Sequence, residues 1–504
     1  MNNGIKLLIA SLAVGTISDL LFRDSIVRGA PNGLSVLCWS TGLTIIFALL
    51  LKSHLLHRNS LFWFIPLNLA CAAYMWRDSP VLHFIDIVVI FVSLTALSTS
   101  LRGFPLRCAG VFDLLTAGVN IIIDAAAEAF PFVKNSVDLR QALPLPIRMA
   151  LPAVARGIAY SVPLLLLFGS LFITADPAFA NLLSKSMNLD ICGFSTHLGI
   201  LGAFAWLTAG YLSPVMATSG SESFVASNKI PIPRIGRLEL NIVLGTLNIL
   251  FLSFVLVQFR YFFGGGGLVA GLSYSEYARR GFFELTAVSA LVLPVLLYID
   301  WLLPARSDKL DKVFPVQAAF QILMLFVIML SASQRMSMYQ AEFGLTELRF
   351  YTSAFIAWLG LIYFIFGGTV LVGKRRLFGY LTVLSGFLAA TVVQLSNPDK
   401  IIMAVNIDRA QHGKVFDANY ALYLSGDATE YLVSNINNLP VSNQHTIANA
   451  LMSQHKRANH YDWRSFNIDR FRAYNAVDRH LSALSTLTAQ QIAPTEQLIS
   501  PRRN

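Results

Sequence analysis

The chain has 504 residues, of which 55% are hydrophobic and only 13% charged, and its mean hydropathy is +0.59. A soluble domain carries about a quarter charged residues, so this composition excludes an ordinary soluble protein and makes a bilayer the solvent for most of the chain. The net charge of +10 is gathered in short segments between apolar runs, which fits membrane topology and anionic headgroups rather than nucleic-acid binding.

In chain order, the apolar runs predict membrane-crossing helices at Ile5–Leu21, Gly33–Leu51, Leu61–Trp76, Val81–Leu97, Ala153–Thr174, Leu198–Ala217, Leu240–Phe259, Gly281–Leu303, Phe314–Leu330, Phe350–Val372 and Leu377–Leu395, since a helix needs about 20 residues to cross the hydrocarbon. The first run lacks a cleavage site followed by a soluble domain and reads as an uncleaved first helix. The runs are continuous rather than alternating, which favours helices over barrel strands. The expected fold is all-α: a polytopic transmembrane helix bundle of about eleven helices over residues 1–396, followed by a soluble, mainly helical C-terminal tail over 397–504.

The segment Val111–Phe130 is apolar but contains Asp113, Asn120, Asp124 and Glu128. An ionised carboxylate at mid-bilayer costs roughly 2.5–3.5 kcal/mol, so it reads as an interfacial or cytoplasmic helix. Basic loops at Lys229/Arg234/Arg237, Arg306/Lys309/Lys312 and Lys374/Arg375/Arg376 place those turns in the cytoplasm and the tail outside it. Within the tail, Asp427–Ile436 and Asn467–Leu484 read as short helices.

The four cysteines form no CxxC pair and the nine histidines no HExxH spacing, so neither a disulfide framework nor a metal site is expected. Gly264–Gly267 does not fit a phosphate loop and there is no GxSxG elbow, and no cofactor is expected. Chemistry concentrates instead in the outward segments: Tyr277, Arg279, Arg280 and Glu284; Arg335, Tyr339, Glu342, Glu347 and Arg349; Asp176; and Asn397-Pro398-Asp399 with Asn406. Asp19 and Asp86 lie inside spans near the same face, and Asp86 shares a helical side with His83.

Read functionally, these residues form a pocket at the outer helix ends. Arg279, Arg280, Arg335 and Arg349 would hold an anionic small molecule or lipid headgroup, because the planar guanidinium donates bidentate hydrogen bonds. Tyr277 and Tyr339 would wall it, and Glu284, Asp176, Asp86 and Asp19 would balance charge or relay protons. Read structurally, Arg280 and Glu284 simply pair four apart, the tyrosines form an interfacial belt, and Asn397 and Asp399 cap the tail. Both readings stand on sequence alone.

The run Tyr277-Ala278-Arg279-Arg280-Gly281-Phe282-Phe283-Glu284-Leu285 resembles the signature of the bacterial multi-pass family called domain of unknown function 4173, related to family 4153. Supporting pieces occur in order: Asp19-Leu20-Leu21-Phe22, Arg156-Gly157, Ala175-Asp176-Pro177, Ser333-Gln334-Arg335, Gly344 to Arg349, Asn397-Pro398-Asp399, Asn406, Asp427-Ala428 and Asp462-Trp463-Arg464. The resemblance implies a multi-pass protein of the bacterial cytoplasmic (inner) membrane with no assigned activity. Three functions follow as expectations: binding of an anionic ligand for transport, an envelope interaction or signalling scaffold whose tail docks a partner protein, and a lipid-linked transferase using Asp24. The last rests on one acidic residue, so an enzyme is the least expected of the three.

Overall fold

The computed structural model describes residues 3–51, 60–103, 111–129, 131, 191–217, 237–263, 282–302, 313–457 and 462–488. The expected span Ala153–Thr174 lies outside them, as do Arg156-Gly157 and Gly264–Gly267. The described residues contain helices and turns and no strand. In lipid, backbone N–H and C=O groups must be satisfied within the segment, and a continuous apolar run does so as a helix.

The apolar helices are α1 (Asn3–Arg28), α2 (Leu34–Leu50), α3 (Phe64–Trp76, entered through a 3-10 turn at Ser60–Trp63), α4 (Pro80–Leu101), α5 (Val111–Ala127), α6 (Ile191–Ala217), α7 (Arg237–Phe263), α8 (Phe282–Leu302), α9 (Val313–Phe343), α10 (Glu347–Thr369) and α11 (Arg375–Ser396). Among the described residues seven helices are long and apolar enough to cross a membrane: those within α1, α4, α6, α8, α9, α10 and α11. The apolar stretches of α2, α3, α5 and α7 are shorter. Large apolar side chains face outward along the helices, among them Leu49, Phe84, Leu291, Leu330 and Phe364, as they do where the surrounding solvent is hydrocarbon.

Two apolar cores hold the bundle. Leu7, Phe47, Leu67, Leu97, Ile121 and Leu212 pack α1–α6 together, while Phe282, Leu296, Leu325, Ile356 and Phe366 join α8–α10. Helix α11 serves both, with Phe378 buried in the second core and Tyr380 and Phe387 against the first. The ambiguous segment forms α5, and its Asp124 carboxylate meets the buried Arg102, at the end of α4, at 2.7 Å. Pairing offsets the cost of placing that acid in an apolar helix.

Short turns at 29–33, 77–79, 344–346 and 397 bring the ends of α1–α4 and α9–α11 to one end of the bundle, and the turn carrying Lys374, with Arg375 and Arg376, lies at the other. The chain after Ser396 forms a polar helical cap on the first end: α12 (Pro398–Gln411), α13 (Ala418–Tyr423), α14 (Gly426–Ser434), α15 (Val441–Arg457) and α16 (Ile468–Arg479). Asn397, at φ 53°, accepts from Lys400 N and Pro398 follows at the first helical position, a start that Asn and Pro chemistry favours. The cap has its own core of Ile402, Ile407, Leu432, Val433, Ile447, Leu451 and Val477, joined by Leu345 from the α9–α10 turn.

Backbone contacts seat the cap. Leu34 N donates to Phe466 O at 2.8 Å, and Gly33 lies so close that a Cβ there would overlap the Phe466 carbonyl. Asn406 accepts from Leu345 N (2.9 Å) and donates to Leu345 O (2.8 Å). Gly344 has φ +80°, and a Cβ there would strike the Arg409 guanidinium and the Asn406 amide. Gly344→Ala should therefore lower the stability of the cap-bearing end by about 2 kcal/mol, from left-handed strain alone. Thermal unfolding of the purified variant measures this, and a midpoint equal to wild type would contradict it.

Candidate functional site at the junction of helix ends and cap

The turn between α3 and α4 carries two charged residues, Arg77 and Asp78, directly after one apolar run and before the next. Arg77 is 3% exposed and fully used. Its Nε and Nη2 donate to Gln394 O (3.0 and 2.8 Å), and Nη1 meets Asp469 Oδ2 at 2.9 Å. The guanidinium also lies 4.2 Å over the Trp76 ring. Asn467 caps α16 by accepting from Asp469 N and Arg470 N, and its amide donates to Arg77 O at 2.6 Å. Asp78 pairs with Arg470, and its backbone N–H points to Asp427 Oδ1 at 3.3 Å.

Asp427, in the first turn of α14, is buried beside Asp469. Burial pushes its carboxyl well above the ordinary range, and the hydrogen bond to Asp469 and that group's charge add to the rise. Asp469 is the member of the pair that meets Arg77 and, at 3.0 Å, Arg472, while Asp427 is the one whose carboxyl is raised, so we place the proton of the pair on Asp427. Asp399, fully buried, accepts from Ser425 N and Oγ. Desolvation still outweighs those bonds and raises its carboxyl. The junction is thus a buried set of acids knit to Arg77 and Arg470, linking the membrane helices to the cap.

The residues singled out in sequence divide among three places. Asp86 is buried on α4, and its Oδ1 accepts from Gln394 Nε2 at 2.8 Å, so it joins the junction through Gln394. His83 does not bond Asp86: its Nε2 is 2.8 Å from Arg77 O and its ring stacks on Tyr74. Arg349 and Tyr339 meet each other, with the guanidinium 4.1 Å over the ring, and Arg349 also donates to the Phe343 and Gly344 carbonyls. That pair fastens the α9–α10 turn.

Asp19 meets His197 of α6 at 2.6 Å. Arg335 is buried within α9 and Glu284 is exposed in the first turn of α8. Tyr277, Arg279, Arg280 and Asp176 lie outside the described residues. Asp24 pairs with Arg464 of the cap at 2.9 Å, an occupation that ties the end of α1 to the cap. Among the described residues no group of three or more His, Cys, Asp or Glu could hold a metal ion.

Sequence reasoning passed over Arg77, Asp78, Gln394, Asn467, Asp469 and Arg470. The available signal was the Arg-Asp pair in a link of three residues between two apolar runs, too short to be a free polar loop. Beside the junction, the cap contains a cleft of about 730 Å³ with Asp78, Arg470, His455, Trp463 and Phe471 on its walls.

No curated protein and no solved structure matches this chain. Residues 64–435 match the family described as domain of unknown function (DUF4153). The match runs from the first residue of α3 to the end of α14, so it takes in Arg77, Asp78, Asp86, Gln394, Asp399 and Asp427, while Asn467 and Asp469 fall beyond it. A match over that much of 504 residues makes the chain, with its set of long apolar helices, a multi-pass membrane member of the DUF4153 family.

Proposed function

We propose that the protein binds an anionic small molecule or lipid headgroup at the cap-bearing end of its bundle, in the service of transport. The observation that carries this is Arg335, a guanidinium buried inside a long apolar helix. Charges at such depth are expensive and mark ligand or ion pathways when they face the bundle interior. Helix α8 packs along α9, and Arg279 and Arg280 directly precede its first turn, where the helix dipole adds positive potential. The described basic turn at the opposite end, with Lys374, Arg375 and Arg376, supports a cytoplasmic placement for that end and an extracytoplasmic one for the cap. In this reading residues 1–396 are the membrane unit and 397–504 the extracytoplasmic unit, in a bacterial inner membrane. The finer kinship with family 4173 rests on the Tyr277–Leu285 run.

Native mass spectrometry of the purified chain with phosphatidylglycerol, phosphatidylcholine or inorganic phosphate tests the proposal. Wild type should retain phosphatidylglycerol or phosphate over phosphatidylcholine. Arg335→Gln, and Arg279→Gln with Arg280→Gln, should each lose about tenfold or more in that preference, the worth of one charge-assisted hydrogen bond. Equal retention by correctly inserted variants would end the reading.

A scaffold role, with an envelope protein docking on the cap, is favoured by the half-exposed Trp463 and Phe471 beside the cleft. The transferase reading gains nothing from Asp24, whose carboxylate is engaged by Arg464.

A further inference from the structure

Within the bundle, Asp86 on α4 and Gln394 on α11 form a buried pair, 2% and 4% exposed. One hydrogen bond joins them, from Gln394 Nε2 to Asp86 Oδ1. Their other oxygens, Asp86 Oδ2 and Gln394 Oε1, are buried and have no hydrogen-bond partner among the described residues. Both atoms are acceptors while the acid is ionised, and leaving a buried acceptor unmatched costs roughly 1–3 kcal/mol, more for a charged one.

Among the described residues no basic group offsets the charge. Among the described residues no salt bridge reaches Asp86. The Arg77 guanidinium is spent on the Gln394 carbonyl and Asp469, and Arg470 is spent on Asp78. On the same helix His83 is taken by the Arg77 carbonyl and Tyr74, and Arg102, at the far end, pairs with Asp124 of α5. From α3, the groups that sense Asp86 are Cys71 and Tyr74, which carry no positive charge. On α6, His197 pairs with Asp19. The arginines of α11, Arg375 and Arg376, stand at its opposite end, and Asp399, just beyond its other end, is itself an acid.

We infer that Asp86 and Gln394 are a proton-binding site in the membrane bundle, with Asp86 held there as the neutral acid. A proton on Oδ2 turns one orphaned acceptor into a donor. In a planar acid–amide pair the second oxygen of each group faces the other, so that single proton satisfies both. Release breaks the Oδ2–H bond and gives the proton to water, leaving a buried charge whose remaining bond is to Gln394. Gln394 also accepts both Arg77 bonds through its backbone carbonyl. The proton site and the cap junction therefore share one residue, and loading of one bears on the other. This goes beyond anion binding and does not require it.

Infrared difference spectroscopy of the full-length protein in lipid nanodiscs, titrated from neutral to alkaline pH, tests the site. Wild type should show at neutral pH a protonated-carboxyl C=O band that shifts in D2O. The band should lose intensity in Asp86→Asn, leaving only the share of the cap acid Asp427, and the Asp86 share should move in frequency in Gln394→Leu. Asp86→Asn, which supplies a permanent N–H toward Gln394 Oε1, should melt with wild type, while Asp86→Ala should melt lower. Wild type showing no protonated-carboxyl band at neutral pH overturns the inference whatever the variants do. So does a band that persists unchanged in folded Asp86→Asn, which assigns the proton elsewhere.

Discussion

Exchanging Arg77 for methionine should undock the C-terminal cap, at a cost of about 3–5 kcal/mol, the range found when one partner of a buried ion pair is removed. The loss is large because it leaves other groups stranded. Asp469 stays buried with only the half-exposed Arg472 beside it, and Gln394 O loses two donors at once. Methionine fills much of the volume but can replace none of the three bonds. Arg77→Lys should rescue only partly, since a single ammonium cannot span Gln394 O and Asp469 in the fork geometry. Hydrogen exchange of the α14 and α16 amides measures the effect directly, because cap opening exposes them before the bundle unfolds. Arg472→Met, at a partly exposed position, should change exchange by no more than about 1 kcal/mol. If Arg77→Met protected those amides as well as wild type does, the buried network would not be what holds the cap.

Why Arg77 escaped a reading of the sequence is a matter of range. Its partner Asp469 is 392 positions away, and periodicity carries no information across that distance. The helical class was legible, and so were the positions of the seven described helices long and apolar enough to cross a membrane, because an apolar run of such length has no other way to satisfy its backbone in lipid. The short cap helices at Asp427 and Asn467 were legible for a local reason, namely Ser, Asp and Asn at helix starts. Arg349 and Tyr339 were visible as chemistry but not as a pair: the sequence offered them as ligand arms, and the fold gives the guanidinium to the ring and to two turn carbonyls. Gly344 and Asn406 were visible as motif pieces, and only the fold shows the second clamping the turn that the first permits. Asp86 was read beside His83 from helical spacing alone, while the partner it takes, Gln394, lies on a helix 308 positions later.

Asparagine at position 427 should flatten the pH dependence of cap stability. Asp427 holds its proton in the folded cap because burial, then Asp469, raises its carboxyl above the ordinary value. A raised carboxyl binds more proton folded than unfolded, so its contribution is fully present below the ordinary carboxylate range and falls as pH rises from there toward the folded value, by up to about 1.4 kcal/mol per pH unit. Wild-type cap stability should therefore decline from mildly acidic through neutral pH. Asp427→Asn keeps an N–H donor toward Asp469 and has nothing to lose, so it should be more stable than wild type at alkaline pH by on the order of 2 kcal/mol. A shallower slope should remain from Asp399, raised by its own burial despite two bonds from Ser425. Asp469→Asn should do the reverse, weakening the cap at every pH, because that carboxylate answers Arg77. Chemical unfolding of the cap followed by Trp463 fluorescence at several pH values distinguishes the two acids. A parallel pH profile for Asp427→Asn and wild type would show that the proton of the pair is not on Asp427.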